Sequence, residues 1–254
     1  MNKLIHGDCL IEMDFIESQS IDMILCDLPY GTTNCKWDSI IPFTPFWVQY
    51  SRVIKPNGAI VLTGSQPFTT DLINSNRALF RYEIVWQKTQ KMGFLDCNRK
   101  PLKEHENILI FYKKQPIYNP QKFKTEKFTN RVRNRAANSA VHYSDFKASS
   151  YQETNERFPG SIVKISNWNG ALFGNTNKAT KHPTQKPVPL FEYLIKTYTN
   201  PGMTVLDNCS GSGTTAIACI NTGRRYICIE KDENYYNLSK KRIKDHVNEN
   251  SYLL

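Results

Sequence analysis

The chain reads as an α/β protein built on a mostly parallel sheet. Strand-length apolar runs alternate with stretches of helical periodicity, the pattern of a sheet covered on both faces. Two of the runs, Ile21 to Cys26 and Ala59 to Thr63, are nearly unbroken in their apolarity, as strands buried on both sides require. A third, Val205-Leu206, leads through a glycine-rich turn into a helix that starts at Thr214.

The elements follow in order. Leu4 to His6 is a short strand, followed by Gly7-Asp8-Cys9. Ile21 to Cys26 is a second strand and ends at Asp27. Phe46 to Ile54 is expected to be a helix that stops before Pro56-Asn57-Gly58, and Ala59 to Thr63 is the next strand. A helix over Gln66 to Asn76 precedes a strand at Glu83 to Gln87, and Glu106 to Tyr112 is another buried strand. From Lys113 to Lys181 regularity fades into Asn, Lys, Arg and scattered aromatics. That is too long for a plain loop and reads as an inserted lobe or binding segment.

Order returns at Pro187. Phe191, Leu194, Ile195 and Tyr198 recur at helical spacing, and Asn200-Pro201-Gly202 ends that helix. Met203 to Leu206 is a strand, Thr214 to Asn221 a helix stopped by Gly223, and Arg225 to Ile229 a strand ending at Glu230. Asp232 is placed to cap a last helix with Tyr236, Ile243 and Val247 on one face. Residues 1–112 and 182–254 thus form one domain around an insertion at 113–181.

A chain of 254 residues with 40% hydrophobic content can bury a core without staples. It has no run of eighteen apolar residues, so no spanning helix and no membrane partner are expected. Met1 to His6 lacks a signal core, which argues against secretion. The seven cysteines (Cys9, Cys26, Cys35, Cys97, Cys209, Cys219 and Cys228) form no C-x-x-C pair. Scattered thiols fit a reduced cytoplasmic protein that uses them as small apolar fillers, with no metal site.

The net charge of +10 suits a polyanionic partner, because lysine and arginine displace counterions from phosphates. Between Lys113 and Ser150 nine basic residues face two acids, Glu126 and Asp145, so most of the excess lies in one segment.

The turn Asp207-Asn208-Cys209-Ser210-Gly211-Ser212-Gly213-Thr214-Thr215 allows positive φ and a close backbone approach to a ligand. Amides at the helix start can bind a carboxylate or phosphate. Glu230 ends the next strand, where a carboxylate can accept from ribose hydroxyls, so a ribose-bearing cofactor is expected. The pattern also fits a dinucleotide fingerprint, but a nicotinamide domain usually opens with this unit, whereas here only one strand and a helix follow. No Gly-Lys-Ser/Thr follows, which disfavours a P-loop.

Asp27-Leu28-Pro29-Tyr30-Gly31 leaves a buried strand at its carboxyl end, where open α/β sheets bind ligands. These residue types suit methylation of an exocyclic amine. Such an NH2 is a poor nucleophile, because its lone pair is delocalised into the ring. The Asp27 carboxylate and the Leu28 carbonyl can grip its two hydrogens and turn the lone pair outward. They also stabilise charge that develops on nitrogen. Pro29 aims the preceding carbonyl, and Tyr30 offers a ring on which a flipped base can stack.

The two turns, in this order, resemble the amino-group DNA methyltransferases of the N6-adenine and N4-cytosine class, in the permuted form with the catalytic motif first. The resemblance extends to Gly7-Asp8-Cys9, Trp86-Gln87-Lys88 and His182-Pro183-Thr184-Gln185-Lys186-Pro187. It implies a Rossmann-like, mostly parallel sheet of seven strands with one antiparallel strand, and S-adenosyl-L-methionine as cofactor. It assigns the flipped base to Asp27, Leu28, Pro29 and Tyr30. The cofactor falls to Asp207, Cys209, Ser210, Gly211, Ser212, Gly213 and Thr214, with Glu230 on its ribose and Asp8 and Cys9 at its adenine. Thr184 and Lys186 close the site near the methionine end. The segment 113–181 becomes the target-recognition region on double-stranded DNA, with Arg131, Arg133 and Arg135 as contacts.

The chain departs from the family in two places. Leu28 stands where the usual motif has a second proline, which is expected to loosen the turn. Asn208-Cys209 replaces the usual Pro-Phe, which removes an aromatic from the cofactor site. Asp27 in place of Ser leans toward adenine over cytosine. No cysteine follows a proline, which argues against C5-cytosine chemistry. The alternatives are an N4-cytosine or RNA-base methyltransferase and an inactive DNA-binding relative. A homodimer and a restriction endonuclease partner remain open, in the cytoplasm of a bacterial or phage-infected cell.

Overall fold

The computed structural model describes residues 2–32, 38–125, 155–167 and 185–251. The strands are β1 (Lys3–His6), β2 (Ile21–Cys26), β3 (Ile54–Gly64), β4 (Phe80–Met92), β5 (Lys103–Phe111), β6 (Phe123–Lys124), β7 (Glu156–Arg157), β8 (Ile162–Lys164), β9 (Thr204–Asp207) and β10 (Arg225–Glu230). The helices are α1 (Cys9–Glu12), α2 (Phe43–Val53), α3 (Phe68–Ser75), α4 (Val188–Tyr198), α5 (Thr214–Thr222) and α6 (Glu233–Ser251). The chain divides into two compact units, Met1–Asn119 with Ser161–Leu254, and Pro120–Gly160.

The larger unit is a three-layer α/β structure. Its sheet runs β1-β10-β9-β2-β3-β5-β4-β8 and is parallel except for β5, which is antiparallel to both its neighbours. The expected single antiparallel strand is therefore present, but the strands number eight and not seven. The addition is β8, three residues paired with β4 inside the stretch where no strand was expected. A strand of that length shows no periodicity.

Alternation along the strands separates two cores. Ile24 and Cys26 of β2, with Ile60 and Leu62 of β3, face Phe46, Trp47 and Tyr50 of α2 and Phe68 of α3. Met23, Leu25, Ala59 and Val61 face Leu190, Leu194 and Tyr198 of α4 and Ala216 and Cys219 of α5. With large side chains needed on both faces, β2 and β3 read as continuous apolar runs. Pro56-Asn57-Gly58 falls inside β3: Ile21 pairs with Ile54 and Met23 with Ala59, so the extra residues bulge out of the ladder. Asp232 caps α6 as expected, accepting from Asn234 N at 2.9 Å and Tyr235 N at 3.1 Å. Val247, expected on the packed face of α6, is 46% exposed.

The strand order diverges between β9 and β2, which pair through Met23↔Val205 and Ile24↔Leu206. From this point β2 leads outward to β3 and β9 leads outward to β10. Such a switch point opens a crevice at the carboxyl ends of the strands. It places the Asp27 turn beside the Asp207 turn, although they are far apart in the chain.

In the second unit, β6 and β7 form an antiparallel pair, Phe123↔Arg157 and Lys124↔Glu156. Lys122 pairs with Glu156 at 3.3 Å and lies over the Phe158 ring. No helix among the described residues is long and apolar enough to cross a membrane.

Candidate active site

The crevice is a cleft of about 1240 Å³, lined at one end by Asp27 to Tyr30 and at the other by Asp207 to Ser212, Glu230 and Asp8. One small ligand usually fills about 300–1,000 Å³, so there is room for two.

Asp27 emerges from β2 with its side chain 24% exposed. Its Oδ1 accepts from the Tyr30 hydroxyl at 2.8 Å and from the Thr63 hydroxyl. Its Oδ2 meets Lys186 Nζ at 2.6 Å. A carboxylate offers about four lone-pair sites. With two donors on Oδ1 and one on Oδ2, Oδ2 keeps a site for a further donor. Leu28, where proline is usual, is buried in the core beneath the turn. That burial holds the turn with about 1.5–3 kcal/mol, so packing supplies the rigidity that a second proline would give. Tyr30 stacks on Phe68, with centroids 5.1 Å apart. Gly31 and Thr32 donate their amides to the Asp38 carboxylate at 2.8 and 2.9 Å, which fastens the far end of the turn.

Beneath Asp27 lies a row of alternating charges. Lys186 reaches Glu106 Oε2 at 3.3 Å, an ionic contact and not an aligned hydrogen bond, and Lys88 meets Glu106 Oε1 at 2.5 Å. All three side chains are about nine-tenths buried. Burial alone would pull the Lys186 pKa down, but the Asp27 and Glu106 carboxylates outweigh it and hold the ammonium above the usual lysine range. Burial would push Glu106 up, but Lys186 and then Lys88 hold it below the usual carboxylate range. Lys186 Nζ also sits 5.5 Å from the Tyr30 ring centroid.

At the other end, β9 delivers Asp207 and the chain turns through Gly211 at φ +52° and Gly213 at φ +80°. A Cβ at Gly213 would collide with the Ser239 hydroxyl of α6. Asp207 accepts from Cys209 N at 3.1 Å and from the Thr215 hydroxyl. Glu230 accepts from Gly211 N at 2.7 Å and Asp232 N at 2.9 Å. Ser212 donates to the Gln185 side chain at 2.8 Å, and Arg242 donates to the Ser212 carbonyl at 3.0 Å and the Thr214 hydroxyl at 3.2 Å. Asp8 caps α1 through Leu10 N at 3.0 Å and pairs with Lys231 at 3.0 Å. Asn208, where the family has proline, is buried and accepts from the Tyr50 hydroxyl at 2.5 Å. Cys9 is buried and Cys209 half-buried beside it at the cleft wall. Burial pushes the Cys26 thiol up to about 12, so that thiol serves as an apolar filler.

Burial pushes the Asp207 carboxyl up to about 7 from 3.8, against the hydrogen bonds that favour the anion. Between those values the folded chain holds a proton that the unfolded chain has released, so stability falls as pH rises across that window. The slope is at most about 1.4 kcal/mol per pH unit. Denaturant unfolding at about pH 5 and about pH 7 should show the wild type losing roughly 1–3 kcal/mol more than Asp207→Asn. Parallel profiles would contradict the protonated Asp207.

The fold thus gathers Asp27, Leu28, Pro29, Tyr30, Asp8, Cys9, Lys186, Asp207, Cys209, Ser210, Gly211, Ser212, Thr214 and Glu230 around one cleft, with Gly213 in the turn itself. Lys186 meets the Asp207 turn with its backbone carbonyl, which accepts from Thr214 at 3.3 Å, while its ammonium turns to Asp27. Thr184, Arg131, Arg133 and Arg135 lie outside the described residues. Thr63, Phe68 and Glu106 were missed. Only Lys88, in Trp86-Gln87-Lys88, had drawn notice. Among the described residues no cluster of His, Cys, Asp or Glu is arranged to hold a metal.

Several known proteins are similar to this chain. A Type II methyltransferase of Streptococcus pneumoniae, M2.DpnII, is 29% identical over 94% of this chain and 88% of its own length. The DNA adenine methyltransferase YhdJ of Escherichia coli K12 is 26% identical over 94% of this chain and 82% of its own. The M1.HpyAVI–SAM complex has a TM-score of 0.61 at 20% identity, covering 95% of this chain and 98% of that one. The cytosine-N4-specific PvuII DNA methyltransferase has a TM-score of 0.65 at 16% identity, covering 98% and 92%. At these identities the two structures speak for the fold. The DNA methylase family model (N6_N4_Mtase) matches residues 21–241, from β2 through both turns into α6, and by that match the chain belongs to the DNA methylase family.

Proposed function

We propose that the protein uses S-adenosyl-L-methionine to methylate the N6 amine of adenine in duplex DNA, at a specific site, after flipping the base into the cleft. The observation that carries this reading is the Asp27 carboxylate, ionically fixed on one side and open to one more donor on Oδ2, at one end of a cleft with room for a base and a cofactor.

The residues present fit the cofactor. The Asp207–Thr214 turn has the two positive-φ glycines that close backbone approach requires. Glu230 lines the cleft with lone pairs left for ribose hydroxyls, and Asp8 and Cys9, which also line it, are the residues proposed to meet the adenine. When bound, S-adenosyl-L-methionine supplies an electrophilic methyl group on a sulfonium. The protein contributes the rest. Asp27 Oδ2 and the Leu28 carbonyl accept the two amine hydrogens, so that the nitrogen lone pair points away from the ring. Lys186 keeps Asp27 in place, and Asp27 takes up the proton that the methylated amine sheds. Tyr30, held against Phe68, offers a stacking surface.

Asp27 in place of serine, and kinship with an adenine-specific relative, support adenine. The fold shared with an N4-cytosine enzyme makes cytosine N4 the second reading. Incubation with labelled cofactor and plasmid DNA, followed by nucleoside analysis, tests both. N6-methyladenine is expected, N4-methylcytosine would shift the target, and no transfer would leave an inactive DNA-binding relative. Kinship with Type II methyltransferases supports a role beside a restriction endonuclease, in the cytoplasm of a bacterial or phage-infected cell.

Segment 113–181 is proposed as the target-recognition region. Reversing Arg131, Arg133 and Arg135 to Glu should weaken DNA binding by about 10²-fold or more at moderate salt, because lost phosphate contacts also lose counterion release. Cofactor binding should be unchanged. Unaltered DNA affinity in a filter-binding titration would remove these contacts from the interface.

A further inference from the structure

We infer that the tip of the β4–β5 hairpin, Met92 to Leu95, is a wedge that enters duplex DNA at the place vacated by the target base. The inference rests on the base-flipping reading above. Met92 is 50% exposed, Phe94 76% and Leu95 100%, a run of large apolar side chains with no core of its own. Exposed apolar clusters of this kind mark interaction sites. This one is placed at the candidate chemistry: Met92, Gly93 and Phe94 line the same cleft as Asp27, Pro29 and Tyr30, while Leu95 is not part of that lining.

The tip is held firmly. Gly93 takes φ +85°, and the next three residues close a tight turn with Asp96 N on the Gly93 carbonyl at 3.0 Å and Cys97 N on the Phe94 carbonyl at 3.1 Å. The stem is clasped by Asn167, whose side chain accepts from Gln90 N at 2.9 Å and donates to the Gln90 carbonyl at 3.2 Å. A rigid apolar tip keeps its shape when pushed against a base stack.

Charge identifies the partner. The hairpin carries Lys88, Lys91, Arg99, Lys100 and Lys103 against Asp96, Glu104 and Glu106. Lys88 and Glu106 pair inside, and Lys91 and Lys100 pair with Glu104 and Asp96 at 3.5 and 3.3 Å, so Arg99 and Lys103 make up the outer positive excess. A second copy of a chain with net charge +10 would be repelled by that rim, whereas phosphates are attracted. Extruding a base leaves a gap in the stack, and apolar side chains are the groups that fill such gaps.

The double variant Phe94→Ala/Leu95→Ala tests the wedge. The substrate is a duplex oligonucleotide bearing the sequence found methylated in plasmid from cells that express the protein. On the fully paired duplex kcat/KM should fall at least tenfold. With the target base placed opposite an abasic site the variant should recover to within about threefold of wild type. With 2-aminopurine at the target position, the fluorescence rise on wild-type binding should shrink. Phe94→Trp, which keeps a large apolar ring at the tip, should lose less than the alanine pair in both the paired-duplex rate and the fluorescence rise. Wild-type rates on the paired duplex, or an equal loss on both duplexes, would overturn the wedge. So would a change from dimer to monomer in sedimentation, which would assign the tip to a second copy. No transfer by the wild type on any DNA would instead bring down the methyltransferase reading, and the wedge with it.

Discussion

Replacing Asp27 with Asn should slow methyl transfer by about 10²–10³-fold or more, the usual cost of losing a group aimed at charge that develops in the transition state. Cofactor affinity should stay within about twofold of wild type, because the Asp207 turn and Glu230, proposed to hold the cofactor, lie at the other end of the cleft. Asn keeps the shape of Asp27 and can still receive the Tyr30 and Thr63 hydroxyls on its oxygen. It presents an NH2, not an acceptor, at the Oδ2 position, where the amine hydrogen would bind and where Lys186 now sits. Asp27→Ala should be equally inactive, and both variants should be less stable than the wild type. Lys186 and Lys88 would then share Glu106 alone, and breaking a buried ion pair from one side costs about 3–5 kcal/mol before solvent exposure reduces it. Asp27 is a quarter exposed, so the lower end is expected. Single-turnover transfer of labelled methyl reports the first effect, calorimetric cofactor titration the second and denaturant unfolding the third. Full activity in Asp27→Asn would remove Asp27 from the chemistry.

Much of this site was legible in the sequence. Residues that sit where a strand becomes a turn carry their own local signal. Asp27 follows β2, while Asp207 ends β9 and Glu230 ends β10, and each was located by the apolar run before it. Residues that enter the site from within a strand carry no such signal. Glu106 belongs to β5 and Thr63 to β3, in runs that read simply as buried strands. Only the antiparallel pairing of β5 between β3 and β4 brings Glu106 opposite Trp86 and sets Lys88 beside it. The same holds for Leu28. Its sequence context shows the loss of a proline, while the compensating core contact depends on packing against distant residues of the same cluster. Lys186 was located as part of a motif, but the direction of its side chain depends on the β2–β9 junction.

Replacing Glu106 with Gln should therefore matter more than its place in the middle of a strand suggests. Glu106 is the only carboxylate that touches both Lys88 and Lys186 among the described residues. The amide leaves Lys88 without its anion and Lys186 with Asp27 alone. Uncompensated buried charge costs about 3–5 kcal/mol, so a clear loss of stability is expected. A second effect separates a positioning role from a structural one. The Lys186 ammonium is held charged against its burial by Asp27 and Glu106 together. With Glu106 neutral its pKa must fall, and Lys186 loses its proton at lower pH than in the wild type. A neutral amine no longer anchors Asp27 as an ion pair, so transfer should fail at lower pH on the alkaline side. In a pH profile of single-turnover rates, Glu106→Gln should show this shift together with roughly a 10–100-fold lower plateau, a range typical of misplaced catalytic geometry. Glu106→Asp, which keeps the charge, should restore the alkaline limb even where the plateau stays low. A profile that keeps its wild-type alkaline limb in the Gln variant, with only the stability reduced, would make Glu106 a folding residue and leave Lys186 to act with Asp27 alone.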